Sequence, residues 1–140
     1  MPKPVSHGRK GVPVAFVRLR GRNGRVREYE AIVDSAATYC VLPKVDAYAL
    51  GYGEAIQDPS TSYITRPGNF ITLASISGYI NATLIKVDEV TLMGKALREV
   101  EFLAYDLPPE TGFDVILGAS FLSRASASVD MASMSTTVGE

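Results

Sequence analysis

The sequence predicts an all-β barrel carrying one or two short helices, and three observations lead there. Short apolar, β-branched runs recur along the chain, each closed off by Gly, Pro, Asn or Asp. No window sustains the spacing of a long amphipathic helix. At 140 residues, 46% hydrophobic and 21% charged, the chain has the composition of one globular domain with a substantial core.

Taken in order, residues 12–19 read as a first strand, and Gly21-Arg22-Asn23-Gly24 turns the chain back into residues 26–34. In that second strand Tyr29, Ala31 and Val33 share one face by period two. A short strand at 39–42 precedes a helical turn at 44–50. Residues 51–68 hold three Gly and two Pro without periodicity and read as a surface loop. Strands at 69–74 and 79–87 flank Ser75-Ile76-Ser77-Gly78, and strands at 89–93 and 96–105 flank a Gly94-Lys95 turn. Leu107-Pro108-Pro109 opens a loop toward Phe113–Gly118. One helical turn at 119–124 and a last strand at 125–131 follow. The domain organisation expected is a flexible segment at 1–11, a folded domain at 12–131 and a frayed polar tail at 132–140.

Charge is divided along the chain. Residues 1–30 hold eight basic side chains against Glu28 and Glu30, a balance of +6; the net charge of −1 leaves −7 on the remaining 110 residues. Five of the basic residues (Arg18, Arg20, Arg22, Arg25 and Arg27) surround the predicted hairpin tip. Such side chains are ordinarily solvated, and a nucleic acid or acidic partner there is the lesser alternative. No aromatic residue interleaves with them to make a base-stacking platform. One cysteine, Cys40, excludes an intrachain disulfide, and with the single His7 it cannot build a zinc site. No run is long enough for a membrane helix and the N-terminus lacks a signal-peptide core, so a soluble, cytoplasmic protein is expected.

The chemistry concentrates at Ala31-Ile32-Val33-Asp34-Ser35-Ala36-Ala37-Thr38. An apolar strand runs directly into a carboxylate, which is costly to bury unless it is hydrogen-bonded, paired or protonated. The small residues beyond it leave room for a close approach. Taken alone, Asp34 also fits a turn-capping role. Cys40 sits in an apolar strand and reads as a small buried hydrophobe, not as a nucleophile served by His7. Ser120, in Gly118-Ala119-Ser120-Phe121-Leu122, lacks the second glycine of a nucleophile elbow. Tyr48, Tyr52, Tyr63 and Tyr79 are candidates for lining a cleft, although scattered tyrosines more often half-bury at a surface.

Three motifs in order make the chain similar to the retropepsin-like aspartic proteases. Asp34-Ser35-Ala36-Ala37 resembles their active-site turn. Residues 72–80, with Ser75-Ile76-Ser77-Gly78 at the tip, resemble their flap. Ile116-Leu117-Gly118 before a short helix resembles the apolar-apolar-Gly element near their C-terminus. The resemblance covers roughly residues 12–131 and implies a closed acid-protease barrel with a flap hairpin, working as a homodimer.

The physical logic agrees. Hydrolysis by two carboxyl groups needs one ionised and one protonated, and a close pair holds a single proton. Asp114 and Asp130 also lie beside predicted strands, but neither is followed by a hydroxyl and small residues. A full site therefore needs two copies of Asp34 across a two-fold axis. On the resemblance, Ser35 braces the dyad, Ala36, Ala37 and the Ser75–Gly78 tip hold an extended peptide, and Ile116 packs beneath. Neither metal nor organic cofactor is required. The expected activity is that of an aspartic endopeptidase acting on extended, mainly apolar peptides.

Two positions depart from the family pattern. Ala36 replaces the usual Gly, a change compatible with catalysis if its φ is negative. Ala119 stands where relatives often carry a longer side chain such as Arg. The alternative these changes permit is a catalytically weak or inactive module of the same fold that binds peptides or dimerises.

Overall fold

The computed structural model describes residues 6–7, 11–54, 70–75 and 78–139. Its elements in chain order are β1 (Ser6–His7), β2 (Val14–Arg20), β3 (Val26–Val33), β4 (Cys40–Leu42), α1 (Lys44–Ala49), β5 (Phe70–Ser75), β6 (Gly78–Leu92) and β7 (Lys95–Ala104). A 3₁₀ turn at Pro109–Thr111 leads to β8 (Val115–Leu117), α2 (Ala119–Leu122), β9 (Ser128–Asp130) and β10 (Ser135–Thr137).

Six strands close on themselves. The order β2-β3-β8-β4-β7-β6 is completed by pairing of β6 with β2, through Val17↔Leu92 to Arg20↔Glu89. β5 hangs outside this ring as the antiparallel partner of the first half of β6. Closure removes the free edges that an open sheet would expose. The all-β class and short helices are those the sequence predicts.

The barrel fills by alternation. Val17 and Leu19 of β2, Ala31 and Val33 of β3, Cys40 and Leu42 of β4, and Val115 and Leu117 of β8 all point inward. Phe121 and Leu122 of α2 and Ala47 of α1 plug the interior from outside the ring. Tyr52, a candidate cleft residue from the sequence, belongs to this core and is fully buried. Tyr48 and Tyr79 are exposed, and Tyr63 lies outside the described residues.

Sequence and structure part at three places. The runs 79–87 and 89–93 are one strand, β6, whose alternation reverses at Asp88: Ile85 and Val87 face inward before it, Val90 and Leu92 after it. A break in periodicity therefore marked a bend around the barrel corner, not a strand end. Second, the β6–β7 turn is Met93-Gly94, with φ of 47° and 82°, between the paired Leu92 and Lys95. Two positive φ values suit the type I′ geometry that matches strand twist. Third, Ser135–Thr137 in the expected frayed tail forms β10, between β9 and β1; Ser6↔Thr136 and His7↔Ser135 tie the two ends of the chain together. Thr136 and Val138 are buried there. The last predicted strand shrinks to Ser128–Asp130, and the Asp130 carboxylate accepts the Ala132 N–H (2.9 Å) at the turn that follows.

Candidate active site

Asp34 stands at the end of β3. That strand runs parallel to β8, with Ile32 level with Ile116 and Val33 with Leu117. The Asp34 N–H continues the ladder by donating to the Leu117 carbonyl (2.9 Å). The chain then turns sharply. The Asp34 Oδ1 accepts the Ala36 N–H (3.0 Å), and the Asp34 carbonyl accepts the Ala37 N–H (3.2 Å). This Asx-type turn is what a short acidic side chain before small residues favours.

The loop is clamped from below by the start of α2. The Ala119 N–H donates to the Ala37 carbonyl (2.7 Å) and the Ser120 N–H to the Thr38 carbonyl (3.0 Å). Gly118 permits this approach, because a Cβ there would run into the carbonyl oxygens of Tyr39 and Ala37. The Ser120 hydroxyl donates to the Glu101 carbonyl (2.7 Å) and accepts the Cys40 N–H (3.0 Å), linking α2, β7 and β4. Cys40 packs beneath, where its sulfur accepts the Gly118 N–H (3.3 Å), and burial pushes its thiol pKa up. It is fully buried there, as expected of a small apolar side chain.

The upper face of the loop is open. Asp34 is half-buried, while Ser35, Ala36 and Thr38 are exposed. Among the described residues the Ser35 hydroxyl has no hydrogen-bond partner, and the Asp34 carboxylate has only the Ala36 N–H. Ala36 keeps φ negative: the described non-glycine residues with positive φ are Met93, Glu99, Ser126 and Met134. The methyl group therefore imposes no left-handed strain. Asp114 lies level with Glu30 by the β3–β8 register, four positions back along β3, and Asp130 caps the β9 turn. Neither comes to Asp34.

Beside the loop the outer face of the barrel is apolar. Val41, Ala82 and Leu103 are buried there, packed with Tyr39, Ile71, Leu84, Tyr105, Leu107 and Ile116. Ile116 is the member the sequence singled out; Val41 and Leu103 were missed. Each is the out-of-phase residue of a strand whose neighbours face inward, so alternation in a strand that is apolar on both sides was the available signal. The β5–β6 hairpin borders this cluster through Ile71. Its pairing runs to Ser75↔Gly78, and the Thr72 hydroxyl donates to Asn81 Oδ1 (2.8 Å). Ile76 and Ser77 of the predicted tip lie outside the described residues.

A closed six-stranded barrel that presents an Asp-hydroxyl-small turn, backed by an apolar-apolar-Gly strand, defines the class of retropepsin-like aspartic proteases. Residues 12–121 match the family described as aspartyl protease, and the chain belongs to that family. Its structure is similar to the crystal structure of a retropepsin-like aspartic protease from Rickettsia conorii, at a TM-score of 0.62 and 21% identity, with 99% of each chain covered. A search of curated proteins found no match. No helix among the described residues is long and apolar enough to cross a membrane.

Proposed function

We propose that the chain is an aspartic endopeptidase whose site is completed by a second copy of itself. The observation that carries this reading is the state of the Asp34 turn. It is rigidly held from below by backbone hydrogen bonds, yet its carboxylate and the Ser35 hydroxyl face outward with their bonding capacity largely unused. A two-fold axis through this face sets two Asp34 carboxyl groups side by side, and the pair shares one proton. The ionised member draws a proton from water as that water attacks the peptide carbonyl. The protonated member donates to the carbonyl oxygen.

Ser35 then braces the dyad, and the exposed backbone at Ala36 and Ala37 faces the substrate main chain. The β5–β6 hairpin acts as a flap that pairs with an extended peptide and excludes water. Ile116, with the half-buried Ile71 and Leu84 and backed by the buried Val41 and Leu103, supplies an apolar wall, which selects apolar side chains beside the scissile bond. The negative φ at Ala36 favours a working site over an inactive binding module.

The test is digestion of a mixed peptide library from about pH 4 to about pH 7, with activity expected to be highest at mildly acid pH, where the shared proton is held. Sedimentation of the same sample reports its association state. Cuts that disappear in Asp34→Asn, from a dimeric sample, support the reading. A folded dimer that cuts nothing leaves the binding module, and cutting by a strict monomer removes the shared dyad.

A further inference from the structure

The far end of the barrel from Asp34 holds a second concave site. Eight positions separate Asp34 from Val26 along β3, or about 26 Å of extended chain, and beyond Val26 lies the tip of the β2–β3 hairpin. There a half-open cleft of about 590 Å³ is lined by Arg22, Lys86, Asp88, Arg98 and Glu99. Its position and residues are independent of the proposed catalysis.

Exposed cations are ordinarily just solvated, but three features set this group apart. First, the cations have acids within register reach and do not use them. Lys86 stands opposite Glu101 and Arg98 opposite Glu89, yet among the described residues the ion pairs are Arg20–Glu89 (3.4 Å) and Arg27–Asp46 (3.0 Å). Second, the scaffold is fixed. The Arg22 guanidinium lies over the Tyr52 ring (5.3 Å to its centre), and Asn23 holds the hairpin tip by donating its side-chain N–H to the Ala49 carbonyl (2.9 Å). The Tyr52 hydroxyl donates to Asp88 Oδ1 (2.7 Å) and accepts the Asp88 N–H (2.8 Å).

Third, the corner is locally unfavourable. Asp88 and Glu99 fall opposite each other at a gap in the β6–β7 ladder, a like-charge pairing, and Glu99 takes a φ of 52°. The Arg124 guanidinium pins this backbone by donating to the carbonyls of Arg98 (2.8 Å) and Glu99 (3.2 Å). Three cations line one cleft with two carboxylates, Asp88 held by Tyr52 and Glu99 on a strained backbone, and make a surface of mixed sign.

We infer that this cleft binds a small phosphate ester bearing free hydroxyl groups, with the phosphate on Arg22, Lys86 and Arg98 and the hydroxyls on Asp88 and Glu99. Guanidinium forks suit phosphate oxygens, and ionised carboxylates accept hydrogen bonds from hydroxyl groups. The volume is that of a small-ligand site and much exceeds a lone phosphate.

The full chain is titrated with ribose 5-phosphate and, separately, with inorganic phosphate, each to about 10 mM in roughly 0.1 M chloride, and binding is read by calorimetry. The expected result is saturable one-to-one binding of ribose 5-phosphate, tighter than that of inorganic phosphate. It should weaken about tenfold in Arg98→Gln and in Lys86→Gln, and stay unchanged in Arg25→Gln, whose side chain lies outside the cleft. Glu99→Ala should reduce the preference over inorganic phosphate, since Asp88 alone is left to accept hydroxyl groups. The variants are at exposed positions, and a thermal melt of each confirms its fold. Absence of saturation, equal binding of inorganic phosphate, or equal losses in Arg25→Gln and Arg98→Gln would each overturn the assignment.

Discussion

Each end of the barrel carries a half-buried aspartate, and the two are held in opposite ways. Asp34 is placed by main chain. Its own N–H, its carbonyl and the carbonyls of Ala37 and Thr38 are all engaged by backbone groups, while its carboxylate keeps spare capacity. Asp88 is placed by side chain: Tyr52 engages both its carboxylate and its N–H. The first arrangement holds a residue still and leaves its chemistry unspent. The second commits one carboxylate oxygen and the N–H to holding a corner of the barrel together. Burial alone does not tell these two aspartates apart, whereas hydrogen-bond partners do.

The sharpest way to break that contrast is to neutralise each aspartate. Asp34→Asn should reduce peptide cleavage by about a thousandfold or more while the melting temperature stays near wild type. Asp88→Asn should leave cleavage within about twofold and lower the melt instead, because the charge-assisted hydrogen bond from the Tyr52 hydroxyl becomes a weaker neutral one. Equal effects of the two variants on turnover would erase the distinction between the ends.

Next in size is Gly118→Ala. The added methyl meets the carbonyls of Tyr39 and Ala37, so the clamp beneath the Asp34 turn must open, at a cost of about 1–3 kcal/mol in a denaturant titration. An unchanged unfolding midpoint would show that the turn is not seated on Gly118.

At the other end, Tyr52→Phe removes both bonds to Asp88 and should cost about 1–2 kcal/mol. It also has a pH signature. Burial, reinforced by Asp88, raises the Tyr52 pKa above its ordinary value of 10.0, and the half-buried Tyr29 beside Asp46 is shifted the same way. A group whose pKa is raised by folding contributes stability that is complete below its unfolded pKa and lost as the pH climbs past it. Melting temperature should therefore fall above about pH 10, and Tyr52→Phe should flatten part of that fall while Tyr29 sustains the rest. A slope identical to wild type would separate Tyr52 from the alkaline transition.

The smallest effect is expected at Ala36→Gly. With φ already negative, glycine relieves no strain and adds only unfolded-state freedom, so stability should drop by about 0.5 kcal/mol and cleavage should stay within about threefold. A large gain in turnover would instead show that the methyl obstructs the substrate backbone.

The same contrast governs what could be read from the sequence. The Asp34 end was legible because its geometry is written in residue types that act on the main chain: an acid before small residues, and a glycine where two carbonyls approach. The apolar wall was only partly legible. Ile116 stood two residues before a recognisable Gly118, whereas Val41 and Leu103 sit in strands that are apolar on both faces and give no sign of which face is inward. The Asp88 corner was visible as an interruption of alternation and misread as a strand boundary, because local periodicity cannot distinguish a bend from an end. β10 was missed for a related reason. Ser135-Thr136-Thr137 is polar by composition, yet threonine suits strands and Thr136 is buried by the chain packed around it. Tertiary placement, not local preference, decided that segment.

The pairing of β1 with β10 has a kinetic consequence. Because β1 and β10 pair within one molecule, every strand among the described residues finds its partner in the same chain. Acquisition of structure should then be first order and indifferent to concentration, with refolding rates that superimpose across dilutions. Any association that follows is a meeting of finished bodies, so dilution would regulate the proposed activity without unravelling the polypeptide.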